Sequence, residues 1–259
     1  MIAVETILVA FAMFSALPVP QPAWNERNMR YALCAFPLIG AVCGGAWWAW
    51  SAVCVWFPVP DLLRSAGLCL IPMLLTGGIH LDGFADTCDA LASCASPEKK
   101  QEILKDPRCG AFAVIRLCSY FVAYLALCTA VRLDQQTTWC MGLAFVLERA
   151  LSGLAVSRFP LAKNTGLAHT FATAADRKTV GRILLALCLL TGGGMVAAGG
   201  LTGTVMLAAG LFVFWRYRVT ADQQFGGISG DLAGWFLQKA ELWMLAALVA
   251  CQLVREVLP

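Results

Sequence analysis

The chain has 259 residues, 59% of them hydrophobic and only 14% charged, with a formal net charge of +3. Soluble domains carry about 25% charged residues, so an ordinary aqueous globule is excluded, and the small positive balance gives no basis for binding nucleic acid. The 12 cysteines form no C-x-x-C pair and fall mostly inside apolar runs, which argues against a zinc or redox site and for small buried hydrophobes.

Apolar runs of about 20 residues read as membrane-crossing helices. The first, 2–17, is short and carries Glu5; it has no basic n-region and no A-x-A site, so a cleaved signal peptide is not expected. Further spans are predicted at 31–56, 62–79, 111–131, 138–157, 183–199, 202–217 and 235–254. Trp47, Trp48, Trp50 and Trp56 in the second read as packing or interfacial-belt residues. Thr191–Gly203 is glycine-rich and uncharged, and predicts a tight hairpin between two spans. The expected fold is all-α: a polytopic membrane protein with about seven or eight transmembrane helices, forming one integral-membrane domain over 1–259. The lower count applies if 2–17 only enters the bilayer.

Loops rich in Lys and Arg alternate with loops that hold few. The basic set holds Arg27 and Arg30, then Lys99, Lys100, Lys105 and Arg108, then Arg158, Lys163, Arg177, Lys178 and Arg182, then Arg216, Arg218 and Lys239. The positive-inside rule assigns this set to the cytoplasm. Four polar motifs then fall on that same side, which predicts one cytoplasm-facing active site built from several helix ends.

The first motif is "TGGIHLDGFADTCDALAS", Thr76–Ser93. Asp82, Asp86 and Asp89 are spaced four and three apart and share one helix face. Like charges so placed repel, and near a bilayer their desolvation adds to the cost. A hard divalent cation such as Mg²⁺ offsets both, because it takes carboxylate and phosphate oxygens together. A solvated helix start, stabilised by the helix dipole, would also account for the cluster. Within the motif, Gly77–Gly78 is expected to break the preceding span, and His80 reads as a ligand, a base or a structural residue.

"LKDPRCGAFA" supplies Asp106 and Arg108 on a Pro–Gly turn, where arginine's planar fork suits phosphate. "GGISGDLAGW" supplies Gly227 and Gly230 as sites of close backbone approach, with Asp231 at a helix start. An ordinary N-cap by Ser229 or Asp231 is the simpler alternative there. Glu148–Arg149 is the last motif, an adjacent opposite pair inside an apolar stretch that reads as paired or site-facing. Glu241 and Arg116, inside their spans, are further candidates. His169 lies in a polar loop and is a weaker one.

These blocks resemble the cobalamin synthases, also called adenosylcobinamide-GDP ribazoletransferases. "LPVP" (Leu17–Pro20) and "FPLIG" (Phe36–Gly40) look like that family's N-terminal pattern, and "TGGIHLDGFADTCDAL" is similar to its most distinctive block. "LKDPRCGAF" resembles its Asp-x-Arg-x-Gly turn, and "GGISGDLAG" its Gly-Gly-x-Thr-Gly-Asp block, with Ser229 for Thr. The chain departs at Ser15–Ala16, where Thr-Arg is frequent, at Glu148, where Ser precedes the Arg, and at Gln238, where relatives carry Glu.

The resemblance implies an enzyme of the bacterial inner membrane that completes the nucleotide loop of cobalamin. Its implied partners are adenosylcobinamide-GDP and α-ribazole or its 5′-phosphate, with the lipid bilayer around it and Mg²⁺ as cofactor. It leaves open a homo-oligomer or a complex with other cobalamin-assembly enzymes. On this basis Asp82 and Asp86 are assigned as metal ligands, Asp89 as third ligand or general base, and Asp106 and Asp231 as completing the metal or hydroxyl environment. His80 joins the catalytic candidates, Arg108 and Arg149 stabilise phosphate charge, and Gly227 and Gly230 accommodate it. Rival readings are a CDP-alcohol-phosphotransferase-like lipid enzyme, whose fuller motif is absent, and an ion-coupled transporter using intramembrane carboxylates.

Overall fold

A backbone in lipid has no water to bond, so apolar runs must satisfy their own N–H and C=O groups, and helices do this within one segment. The computed structural model describes residues 2–257 and contains only helices and their connections. They are α1 (Ile2–Phe14), α2 (Glu26–Met29), α3 (Ala32–Trp56), α4 (Asp61–Thr76), α5 (Ile79–Ala92), α6 (Pro97–Ile103), α7 (Ala111–Ala130), α8 (Gln135–Arg158), α9 (Leu167–Ala174), α10 (Arg177–Phe225) and α11 (Gly230–Val257).

Five of these, α3, α7, α8, α10 and α11, are long and apolar enough to cross a membrane, and α4 with α5 makes a sixth if that bent pair is one span. Two features relate this tally to the seven or eight expected. α1 has 13 residues, about 20 Å at 1.5 Å per residue, against a hydrocarbon core of about 30 Å. α10 enters the tally once, although it holds both predicted segments, 183–199 and 202–217, on either side of its non-helical Gly200, at φ 54° and ψ −127°.

Gly200 reverses the chain. Gly192 faces Leu207, and Gly203 stands against the Met195 carbonyl, so the two arms of α10 run antiparallel. The first arm packs on α8, with Leu184 on Gly153 and Leu143 on Gly194. The second packs on α11, where Tyr217 and Phe236 stack with centroids 5.1 Å apart.

Lipid tails are as apolar as leucine, so helices in a membrane associate through close packing, and small residues permit it. α3 and α8 show this most plainly. A Cβ on Gly40 would overlap the Phe145 carbonyl, and one on Gly44 would come within 2.8 Å of the Gly142 Cα. Behind these contacts Trp47, Phe145, Met141 and Leu147 are fully buried. Outward-facing Val122 and Leu190 remain 70% and 73% exposed, as lipid-facing side chains should.

Gly40→Leu should force α3 and α8 apart, at about 1–3 kcal/mol for overpacking. Gly45, one position past Gly44, has open space around its Cβ. Thermal unfolding in detergent should show a clear fall in midpoint for Gly40→Leu and almost none for Gly45→Ala. Equal midpoints would contradict the close approach.

Candidate active site

Two consecutive glycines set the bend between α4 and α5. Gly77 and Gly78 have φ of 65° and 78°, left-handed backbone that costs other L-residues roughly 1–2 kcal/mol each. Their N–H groups donate to the Leu74 and Met73 carbonyls at 3.4 and 3.1 Å, closing α4. α5 then leaves at 93°. Along it lie His80, Asp82, Asp86 and Asp89, the aspartates on one face as their spacing predicts.

α5 crosses α11 with almost no side chain between the two backbones. A Cβ on Gly83 would stand 2.8 Å from the Asp231 Cα, and one on Gly234 would stand 2.7 Å from the His80 carbonyl oxygen. This crossing brings Asp231, in the first turn of α11, beside Asp82. Ser229 caps that turn: its hydroxyl accepts from the Leu232 N–H and donates to the Asp231 carboxylate, both at 3.3 Å. Asp86 lies within electrostatic range of Asp82, Asp231 and Asp89. None of these four carboxylates makes an ion pair among the described residues.

A cavity of about 370 Å³ opens beside the crossing. Its polar side carries His80, Asp82, Ser229, Gly230, Asp231, Lys105 and Lys163. Its apolar side carries Phe14, Leu33, Phe36, Val156, Leu161 and Phe171. Phe14 ties that wall together, 4.6 Å from the Phe36 ring and 5.2 Å from Phe171. His80 stands edge-on to Phe36 at 5.7 Å, and its Nε2 is buried without a hydrogen-bond partner among the described residues.

The loop after α8 lays Lys163 over the carboxylates. Partial burial lowers the Lys163 ammonium below its ordinary range; Asp231 opposes that shift and Lys105 adds to it. The loop is held by backbone bonds across the bridge Leu161–Ile228, with Ile228 N–H donating to the Pro160 carbonyl at 2.9 Å and Ala162 N–H to the Ile228 carbonyl at 2.8 Å. Gly227 has φ of 152°, and a Cβ there would stand 2.6 Å from the Leu161 carbonyl carbon and 2.7 Å from the Ala162 nitrogen. Its open conformation therefore serves loop docking, while Gly230 alone of the two motif glycines borders the cavity.

Other sequence candidates lie elsewhere. Asp89 turns toward the loop before α7, where Gly110 leaves room for its carboxylate. Arg108 already commits its fork to Asp106, with Nε to Oδ1 at 2.9 Å and Nη2 to Oδ2 at 2.7 Å. That pairing and a bond from the Arg108 N–H hold the exposed Asp106 carboxyl down to about 2. Neither residue borders the cavity. Arg149 does not border it either: it is buried, donates to Glu148 at 2.6 Å and to the Phe145 carbonyl at 3.0 Å, and lies near Glu241. Tyr124 donates to Glu241 at 2.7 Å, completing a buried polar group under the site. Its hydroxyl was invisible in the sequence, since a tyrosine in an apolar run reads as packing. Lys163 and Lys105 were visible only as members of a basic loop.

Helical bundle, membrane-length apolar segments and a carboxylate-edged cavity at the helix ends together define a polytopic membrane enzyme class with a polar, phosphate-compatible site. Residues 6–249 match the model of the CobS family, cobalamin-5-phosphate synthase, and the chain belongs to that family. An adenosylcobinamide-GDP ribazoletransferase of Lachnoclostridium phytofermentans is 41% identical over 96% of this chain and 94% of its own length. Proteins of the same name from Pseudomonas entomophila and Clostridium botulinum (strain Eklund 17B / Type B) are 33% and 29% identical, covering 93% and 91% of this chain and 96% and 93% of their own. No solved structure matches the chain.

Tyr124→Phe should cost about 1–3 kcal/mol, because it strips a hydrogen bond from a buried acid. Tyr217 is equally buried, but its hydroxyl has no partner, so Tyr217→Phe should be neutral or stabilising. Midpoints measured side by side in one detergent decide this; the reverse order would discount the Tyr124–Glu241 bond.

Proposed function

We propose that this chain is an adenosylcobinamide-GDP ribazoletransferase. It transfers the phosphocobinamide moiety of adenosylcobinamide-GDP to α-ribazole or its 5′-phosphate, giving adenosylcobalamin or its 5′-phosphate and GMP. Family membership over most of the chain supports the reaction. The observation that carries the site is the meeting of Asp82 and Asp231 at a cavity edge, with Asp86 one turn along α5 within their electrostatic range and, among the described residues, no ion pair to neutralise them.

The reaction is attack of a ribose hydroxyl on a pyrophosphate phosphorus with departure of GMP. It requires positioning, charge neutralisation and proton removal. A cavity of about 370 Å³ accepts the reacting end of the substrate, and the corrinoid stays outside it. Lys163 and Lys105, at its mouth, attract the phosphate oxygens and fix their position. Phe14, Phe36 and Phe171 exclude water from the opposite wall. Asp231 Oδ accepts the proton of the attacking hydroxyl, since it borders the cavity while Asp89 faces Gly110. His80 Nε2, lacking any protein partner, is free to hydrogen-bond the bound substrate.

The donor set suits Mg²⁺. Among the described residues no three His, Cys, Asp or Glu side chains close on one point, which speaks against an all-protein cage. Mg²⁺ ordinarily takes one or two carboxylates and fills its octahedron with phosphate oxygens and water, and Asp82 with Asp86 supplies that number. Bound there, it would neutralise charge building on the pyrophosphate. The site faces the cytoplasm, the side of the basic loops.

Three outcomes test this reading. GMP release should stop in EDTA-treated membranes and return with Mg²⁺; turnover indifferent to chelation would remove the metal. Asp82→Asn should lower turnover on the order of 10²–10³-fold, as loss of one electrostatic stabiliser does. Glu256→Gln, which only breaks a surface pair with Arg132, should leave it near wild type. A folded Asp82→Asn enzyme with full turnover at limiting Mg²⁺ would end the assignment. Finally, a single cysteine at Ser96, in a variant cleared of native cysteines, should react with a membrane-impermeant reagent only from the cytoplasmic side; periplasmic labelling alone would invert the topology.

A further inference from the structure

A second groove, of about 420 Å³, lies between the end of α5, the second arm of α10 and α11. It holds Arg216 and Lys239 among Leu91, Val213, Trp235 and Trp243. The Lys239 ammonium sits 4.4 Å over the Trp235 ring, and the Arg216 guanidinium 5.9 Å from the Trp215 ring. Arg116 of α7 is near enough, with Arg216, to act on the Lys239 charge. Arg216 and Lys239, from two helices, thus share the groove with Arg116 in electrostatic range, and among the described residues none of the three is in an ion pair.

A lone basic residue near a span end ordinarily snorkels to water. Two that share a groove without an ion-pair partner repel one another, so the arrangement is complete only with an anion. The flanks say what else that anion must carry. Phe212, Trp215 and Trp243 are 60%, 55% and 54% exposed on membrane-length helices, a surface for hydrocarbon. Tryptophans at this level mark the bilayer interface, and basic pockets between helices there take lipid headgroups. We propose that this groove binds one anionic phospholipid, its phosphate between Arg216 and Lys239 and its acyl chains along Phe212 and Trp243. The proposal is independent of every catalytic assignment made above.

Delipidated protein in neutral detergent, titrated with dioleoylphosphatidylglycerol or dioleoylphosphatidylcholine and read by native mass spectrometry, tests it. The wild type should retain one phosphatidylglycerol at least tenfold more tightly than phosphatidylcholine. Arg216→Gln, at an exposed position that cannot disturb the core, should weaken phosphatidylglycerol about fivefold, and Arg216→Gln with Lys239→Gln about 30-fold, on the scale of one basic residue near a lipid surface. Lys178→Gln, an exposed basic residue at the start of α10, should change nothing. Equal retention of the two lipids, an unaltered affinity in Arg216→Gln, or an equal loss in Lys178→Gln would overturn the proposal. So would inorganic phosphate raising the thermal midpoint as much as phosphatidylglycerol does, since that would mean a simple anion site.

Discussion

The site depends on the contact of two backbones, α5 and α11, at Gly83 and Gly234. Neither glycine leaves room for a methyl group, since the positions a Cβ would take are 2.8 and 2.7 Å from backbone atoms of the partner helix. In water, apolar side chains would bring two helices together; in lipid that drive is missing, and dispersion between closely fitted surfaces must supply it. The closer the axes, the more such contact accrues. The same approach sets the functional groups. With only hydrogen on the facing carbons, Asp82 on one helix and Asp231 on the other border one cavity, and His80 lies at the crossing itself. Gly40 and Gly44 do the equivalent work between α3 and α8, which gives the crossing a fixed neighbour to pack upon.

Placing like charges together has a cost that the surroundings must offset, and the protein divides its charge to do so. Carboxylates gather on the cavity side of α5, and basic side chains border the same cavity from loops: Lys163 from the stretch after α8 and Lys105 from the stretch after α6. On the groove side of α5, Arg216 and Lys239 line a pocket that no acid borders among the described residues. Beneath the cavity a third polar group is closed on itself, with Arg149 between Glu148 and Glu241, and Tyr124 donating to Glu241. Removing one member of such a buried set strands the others, so its value is in holding α3, α7, α8 and α11 in one register. That explains why Arg149 and Glu148 look functional in sequence yet stand back from the cavity.

The residues that fold the chain are separable from those that meet the substrate. Gly77, Gly78, Gly200 and Gly227 carry backbone angles that side chains resist, and each sits where a helix turns or a loop docks. Gly230 has open space and ordinary angles, and it borders the cavity. One glycine-rich motif therefore contains both kinds. Gly227 fastens the loop that delivers Lys163, and Gly230 leaves the entrance to Asp231 clear.

The order of residues already dictates a helical, membrane-embedded chain, because the demand for internal backbone bonding in lipid leaves an apolar run of span length no other form. It also determined the face shared by Asp82, Asp86 and Asp89 and the breaks at Gly77–Gly78 and near Gly200, since helical periodicity and glycine's left-handed freedom are local. Which charges meet was not local. The spacing on α5 could not show that Asp89 would face Gly110 while Asp82 faced Asp231, nor that Arg108 would spend its fork on Asp106 two residues away. Lys163 and Tyr124 were missed because the acids that act on them, Asp231 through its charge on Lys163 and Glu241 through a hydrogen bond from Tyr124, are far along the chain and arrive only when α11 packs. The tertiary structure decided these pairings because a side chain's chemistry depends on the helix it faces, and in a membrane bundle small residues scattered through the sequence choose that helix.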